Sequence, residues 1–119
     1  MSKLIQIIED DEAIREVIEY ILQQSDYEVH VAANAKEFKI NLHNLLPDLI
    51  LMDVRLPDGN GLQLCRRLKQ SIETKNIPVI IMSAHATAKE SSKEALADDF
   101  IAKPFDLNDL LLLCEKHLA

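Results

Sequence analysis

Apolar positions in this 119-residue chain come in short blocks, and four of the blocks stop on a polar residue that carries chemistry. Leu4-Ile5-Gln6-Ile7-Ile8 runs into Glu9-Asp10-Asp11, and Leu49-Ile50-Leu51-Met52 runs into Asp53. Val79-Ile80-Ile81-Met82 ends on Ser83, and Phe100-Ile101-Ala102 ends on Lys103. Near-continuous apolar runs are the signature of parallel strands buried on both faces. Strands are predicted near residues 3–9, 27–32, 48–53, 77–83 and 99–103. Between them the period changes to that of helices, near 12–24, 35–45, 61–73, 88–96 and 106–118. Ile14, Val17, Ile18, Ile21 and Leu22 follow the i, i+3, i+4, i+7, i+8 spacing of one apolar helix face. Asp11 is placed to cap that helix, and Asp106-Leu107-Asn108-Asp109 resembles a capping box with shorter side chains.

Five β-α units in this length imply one domain over residues 1–119, an open parallel sheet with helices on both faces. The fourth helix is the weak member. Thr87 and Glu90 are its candidate caps, but only Ala88, Ala95 and Leu96 offer it anything to bury, so it is expected to be short and easily displaced. The fifth is the opposite case: Leu107, Leu110, Leu111, Leu112, Leu113, Cys114 and Leu118 make an apolar band wider than one buried face needs. The excess fits a partner, a homodimer, or burial against the fourth helix.

Ligands of open α/β sheets bind beyond the carboxyl ends of the strands. Neighbouring strands would therefore bring the acids, the Ser83 hydroxyl and the Lys103 ammonium to one rim. Glu9, Asp10 and Asp53 would repel there by roughly 3 kcal/mol per pair at about 5 Å and an effective dielectric of 20. Hard carboxylate oxygens answer that repulsion with Mg²⁺, Mn²⁺ or Ca²⁺, and Mg²⁺ suits a sparse carboxylate set completed by water and phosphate oxygens. Alone, Glu9-Asp10-Asp11 reads equally as a helix cap, and Asp53 also fits a loop cap. With both in place the metal reading is favoured. Asp53 is the candidate nucleophile, since a carboxylate attacking phosphorus gives an acyl phosphate. Ser83 can donate to a phosphoryl oxygen and Lys103 can neutralise its charge.

Charge narrows the partners. The net charge of −7 opposes binding to phosphate backbones, and only Arg66-Arg67 and Lys69 cluster, on what reads as a solvated helix face, so direct nucleic-acid binding is not expected. No run approaches the roughly 20 apolar residues of a membrane span, and Met1-Ser2-Lys3 leads straight into a strand without a secretory pattern. The two cysteines, Cys65 and Cys114, fall at apolar helix positions and read as reduced core residues. A cytoplasmic protein is expected.

Four stretches carry a family resemblance: Ile8-Glu9-Asp10-Asp11, Leu51-Met52-Asp53-Val54-Arg55-Leu56-Pro57-Asp58-Gly59-Asn60-Gly61, Ile77-Pro78-Val79-Ile80-Ile81-Met82-Ser83-Ala84 and Asp98-Asp99-Phe100-Ile101-Ala102-Lys103-Pro104-Phe105. Over essentially its full length the chain resembles a receiver domain of two-component response regulators, of the stand-alone type. The resemblance implies a flavodoxin-like (βα)5 fold, doubly wound, with a five-stranded parallel sheet in the order 2-1-3-4-5. It implies that Asp53 accepts a phosphoryl group from a sensor histidine kinase or a histidine phosphotransfer protein. Asp10, Asp53 and the backbone carbonyl of Arg55 would hold Mg²⁺, with Mn²⁺ as a substitute, and Glu9 would act through water. The Ile14-Arg15 step fixes the register that leaves Asp11 outside the acidic pair. Ser83 and Phe100 take the switch positions, Ala84 is suitably small, and Lys103-Pro104 is expected to be cis. A phosphoryl group on Asp53 would draw Ser83 and the 83–88 loop inward and swing Phe100, altering the surface of the fourth helix, fifth strand and fifth helix. That surface would then bind a downstream protein or a second copy.

The pattern departs from the family in two places. From Ser83 to Lys103 the chain is about two residues shorter, and Leu96 replaces a glycine, so it must avoid the left-handed turn or bear strain. Arg55 and His85 flank the site where relatives vary. His85 reads either as a shield for the phosphoryl group or as an exposed loop histidine, while His30, His43 and His117 read as structural or surface. Such a domain is a signalling phosphoacceptor that assists only its own phosphorylation and dephosphorylation. Two rival functions remain. A Mg²⁺-dependent aspartyl phosphatase of the haloacid-dehalogenase-like kind needs a second Asp where Arg55 stands, and a degenerate receiver would serve only as a docking module.

Overall fold

The structure, a computed structural model, describes residues 2–85 and 87–119; Ala86, within the expected 83–88 switch loop, lies outside the described residues, as does Met1. Among the described residues, seven strands and five helices follow one another as β1 Leu4–Ile8, α1 Glu12–Gln24, β2 Glu28–Ala32, α2 Ala35–Asn44, β3 Leu49–Asp53, β4 Arg55–Leu56, β5 Gly59–Asn60, α3 Gly61–Gln70, β6 Val79–Ser83, α4 Ala88–Glu94, β7 Asp99–Ala102 and α5 Leu107–Leu118. The five expected strands form one parallel sheet in the order β2-β1-β3-β6-β7, the 2-1-3-4-5 order of a flavodoxin-like fold. The two-residue strands β4 and β5 pair antiparallel in the loop after Asp53, an addition the apolar pattern did not signal.

Every residue of β1, β3 and β6 is buried, which explains why these strands read as near-continuous apolar runs, interrupted in β1 only by the buried Gln6. Alternate residues supply the two faces. Ile5, Ile7, Leu49, Leu51, Ile80 and Met82 pack with Ile18 and Leu22 of α1 and with Leu110 and Cys114 of α5. Ile8, Ile50, Met52, Val79 and Ile81 pack with Phe38 of α2, with Leu64, Cys65 and Leu68 of α3, and with Ala95 beyond α4. Cys65 and Cys114 are free and buried, and burial pushes their thiols up to about 11 and about 12. No helix among the described residues is long and apolar enough to cross a membrane.

The caps follow local chemistry. Asp11 accepts from the Ile14 amide and Asp106 from the Asn108 amide, as expected. Asn34 and Asn60 do the same for α2 and α3. At α4 the expectation fails: Thr87 is already in a helical conformation and makes no side-chain cap, while Glu90 faces Lys93 at 3.8 Å. Leu96 does not join the core. It is 53% exposed at φ 67°, so it adopts the left-handed turn and bears the strain that a glycine would avoid. Ser92 is buried in its place, its hydroxyl donating to the Ala88 carbonyl at 2.5 Å. Two other expectations are corrected. Helix α5 lies on the opposite face of the sheet from α4, so its wide apolar band packs toward α1, and only Leu112 is left largely exposed, at 62%. Lys69 is not part of a solvated face. Its ammonium is drawn inward to Asp98 at 2.5 Å and to the Ile77 carbonyl at 2.7 Å, because Asp98 also holds the Val79 amide there.

Candidate functional site

Each candidate residue sits at or one step beyond a strand end and is tied down by the ladder. The Glu9 amide donates to the Ala32 carbonyl at 3.0 Å, extending the β1–β2 pairing past Ile8. Asp53 is still within β3, opposite Met82. Ser83 is opposite Ala102, and its carbonyl accepts the Lys103 amide at 2.8 Å. The chain leaves β1 toward β2 on one side and reaches β3 on the other. The acids therefore lie where the winding reverses, the usual binding crevice of this fold class.

At that crevice one oxygen each from Glu9, Asp10 and Asp53 fall within 4.8 Å of one another. Glu9 is 1% exposed and Asp53 8%, while Asp10 faces solvent. The Lys103 ammonium spans the cluster, bonded to a Glu9 oxygen and to Asp53 Oδ2 at 3.1 Å. Burial pushes the Glu9 carboxyl up to about 7; the Lys103 bond opposes this and the nearby Asp53 adds to it. Burial works against the charge on Lys103, but its two carboxylate partners outweigh that and raise its pKa. One lysine against three acids leaves negative charge uncompensated. The donor set is all hard oxygen, close enough to converge on a small divalent cation, so these residues fit Mg²⁺.

Supporting contacts hold this geometry, and several escape a reading of local sequence. Arg15 Nη1 donates to the Glu9 carbonyl at 2.8 Å, fastening the acidic turn from one helical turn away. Gly61 matters through what it lacks: a Cβ there would lie 2.0 Å from the Asp53 carbonyl oxygen, and its amide donates to the Val54 carbonyl at 2.7 Å. Only glycine lets α3 start so close beneath Asp53. Asp58 reaches back to cap α2 from outside, accepting from the Ala35 amide at 2.7 Å and the Lys36 amide at 3.0 Å; the Ala35 bond leads in lowering its carboxyl pKa. The Asn60 cap was readable from an asparagine preceding a helical period. Gly61 and Asp58 depend on chain segments meeting in space.

The remaining candidates are placed nearby but do not all converge. Ser83 is 2% exposed, and its hydroxyl accepts from the His85 amide at 3.1 Å; among the described residues it makes no bond to Asp53. His85 is exposed. Arg55 starts the short hairpin two residues past Asp53, with its side chain in solvent. Phe100 is half-buried on the α3–α4 face, and Lys103-Pro104 is cis. His30 and His43 are exposed, while His117 Nε2 lies 3.0 Å from Asp99.

A five-stranded parallel sheet in this order, with an acid cluster beside a lysine at its reversal point, agrees with the receiver-domain resemblance of the sequence. The match is specific: residues 5–115 fit the family described as response regulator receiver domain, and the chain belongs to that family. Receiver domains are signalling phosphoacceptors and generally bind Mg²⁺ at an acidic pocket. The chain is 36% identical over 113 residues to the phosphate regulon transcriptional regulatory protein PhoB of Rhizobium meliloti, covering 93% of this chain and 50% of that protein. Its identity to PhoB of Pseudomonas aeruginosa is 37% over 113 residues, covering 93% and 49%. The chain thus spans about half the length of these curated relatives. A putative response regulator from Chloroflexus aurantiacus superposes with a TM-score of 0.94 at 32% identity, covering 99% of this chain and 98% of that one. Chemotaxis response regulator CheY4 of Vibrio cholerae shares the fold, with a TM-score of 0.92 at 23% identity over 99% of this chain and 100% of its own.

Proposed function

We propose that Asp53 is the phosphoacceptor and that Glu9, Asp10, Asp53 and Lys103 form its site. The observation that carries this is their convergence at the crevice between β1 and β3. The Asp53 carboxylate attacks the phosphorus of a phosphohistidine on a sensor kinase or histidine phosphotransfer protein. An O–P bond forms, the P–N bond breaks, and its electron pair returns to the donor's imidazole. Asp10, Asp53 and the Arg55 carbonyl would hold Mg²⁺, with Glu9 assisting, and the ion when bound supplies charge neutralisation to the phosphoryl oxygens. Lys103 stays beside the carboxylate and contributes a compact positive charge where the phosphoryl group arrives.

The donor has a place to rest. An apolar groove of about 650 Å³ is lined by Ala13, Ile14 and Val17 of α1 and by Lys103, Pro104 and Phe105 before α5. A donor helix seated there would present its histidine to Asp53. Output is proposed at the edge formed by α4, β7 and α5. Ser83 gives up its His85 amide bond for a phosphoryl oxygen, and the short, uncapped α4 and the half-buried Phe100 readjust. A cytoplasmic location follows from a phosphohistidine donor.

Incubation with acetyl phosphate and Mg²⁺, followed by intact mass analysis, tests the acceptor. Wild type gains one phosphoryl mass and Asp53→Asn gains none. An unlabelled wild type removes the proposal, and labelling that survives in Asp53→Asn moves the acceptor elsewhere.

A further inference from the structure

The segment after Asp53 is a hairpin of two-residue strands, Arg55–Leu56 and Gly59–Asn60, turned by Pro57 and Asp58. A hairpin this short does not hold itself together in water. Its base is tied to α3: the Gly61 amide donates to the Val54 carbonyl at 2.7 Å, and Asn60 accepts from the Leu62 and Gln63 amides at 2.8 and 3.2 Å. The tip is tied to a different helix. Asp58 Oδ1 accepts from the Ala35 amide at 2.7 Å and Asp58 Oδ2 from the Lys36 amide at 3.0 Å, so both oxygens are used on the first two residues of α2. Beside this contact Leu56 and Ala35 share one core cluster, 8% and 7% exposed. Helix α2 already has a cap of its own, Asn34, which accepts from the Glu37 amide at 2.8 Å. The Asp58 bonds therefore act chiefly on the hairpin. Arg55 lies between the two anchors, and its own side chain, in solvent, does not place it.

We infer that Asp58 is a positioning residue for the metal: by fastening the hairpin tip to two amides of α2, it holds the Arg55 carbonyl in place for Mg²⁺. Mg²⁺ demands near-ideal octahedral geometry, so a backbone ligand on a loose segment must be ordered at the moment of binding. Ordering it beforehand removes that cost from the binding free energy. Asp58 touches neither the ion nor the acids, and it acts through the segment that carries the ligand, as outer partners of metal sites do. It lies 23 residues along the chain from Ala35, so the phosphoacceptor loop and α2 are coupled through one carboxylate. The inference deepens the proposed function and rests on that reading for the Arg55 carbonyl as a ligand.

The test is a Mg²⁺ titration of the full chain followed by amide NMR, on wild type and three variants. Asp58→Ala, which loses both acceptors, is expected to weaken Mg²⁺ about tenfold. Asp58→Asn keeps one acceptor oxygen without the charge and should stay within about threefold of wild type. Asn34→Ala removes the cap that α2 supplies itself and leaves the Ala35 and Lys36 amides to Asp58. It should lower the urea midpoint and leave Mg²⁺ affinity unchanged. Asp58 is exposed, and the fold of its variants is checked by an unchanged spectrum outside α2 and the hairpin. Wild-type affinity in Asp58→Ala would overturn the inference. Equal weakening in Asp58→Ala and Asp58→Asn would do so too, because charge alone would then be the cause, as would equal weakening in Asn34→Ala, which would make it general destabilisation. The two readings fail differently: a wild type that binds no Mg²⁺ sinks the metal site together with the inference, whereas Mg²⁺ binding indifferent to Asp58 sinks the inference alone.

Discussion

The two ends of the rim are built to different standards. Around Asp53, Glu9 and Asp53 are almost wholly buried, Arg15 pins the acidic turn, Gly61 brings α3 to its closest approach, and Lys103 is bonded to two carboxylates. Beyond Ser83, α4 has seven residues, starts without a side-chain cap and leaves through a leucine at φ 67°. Its two ends differ as well: the far end is held from α3 by Arg66 on the Glu94 carbonyl at 3.4 Å and Cys65 on the Ala95 carbonyl at 3.5 Å. Phosphoryl transfer needs groups already in position, and a response needs an element that rearranges at low cost. Under the proposed function, the well-anchored Asp53 site serves the first task and the lightly held start of α4 the second.

The largest effect is expected from breaking the rigid side. Gly61→Ala forces a methyl carbon toward the Asp53 carbonyl oxygen, where only 2.0 Å is available, so α3 or the Asp53 turn must move. A loss of about 3 kcal/mol in urea unfolding is expected, with Asp53 labelling slowed more than stability alone explains. Unfolding within a few tenths of a kcal/mol of wild type would show that the approach is not tight.

A smaller effect reports on charge at the same end. Glu9 titrates near 7 because burial disfavours its carboxylate, against 4.5 for the free side chain. The native state therefore binds more protons than the unfolded chain between about pH 4.5 and 7, and stability conferred by this group falls as pH rises through that window. Without added metal, wild type should lose on the order of 1–2 kcal/mol more than Glu9→Gln between pH 5 and 8. Parallel pH profiles for the two proteins would mean that Glu9 ionises freely. The smallest effect sharpens the loose side. Leu96→Gly removes the left-handed strain but adds freedom to the unfolded chain, a net gain of about 0.5 kcal/mol. Slower amide exchange in residues 88–96 would register it, and faster exchange there would show that Leu96 contributes by other means.

Much of this division was legible in the chain. Near-continuous apolar runs in β1, β3 and β6 announced strands buried on both faces, and the polar residue ending each run marked the rim. Asp11 and Asp106 are caps that their own helices explain. Where pattern and structure differ, the cause is contact between distant segments. Local pattern makes Lys69 a solvated residue, but its partner Asp98 lies far along the chain. The α5 band was open to burial against α4 because local pattern does not say on which face of the sheet a helix lands. Thr87 is a good capping residue whose backbone, already helical, cannot use it.

The sequence by itself determined which elements form and which side chains end them, since strand burial and helix period are properties of consecutive residues. The family resemblance, rather than the local pattern, singled out Leu96, which stands where relatives carry a glycine. Tertiary structure alone decided that Gly61 lies under Asp53 and that Asp98 and Asp99 are paired with Lys69 of α3 and with Lys116 and His117 of α5. Those outcomes depend on segments tens of residues apart meeting at atomic distances, which no local pattern encodes.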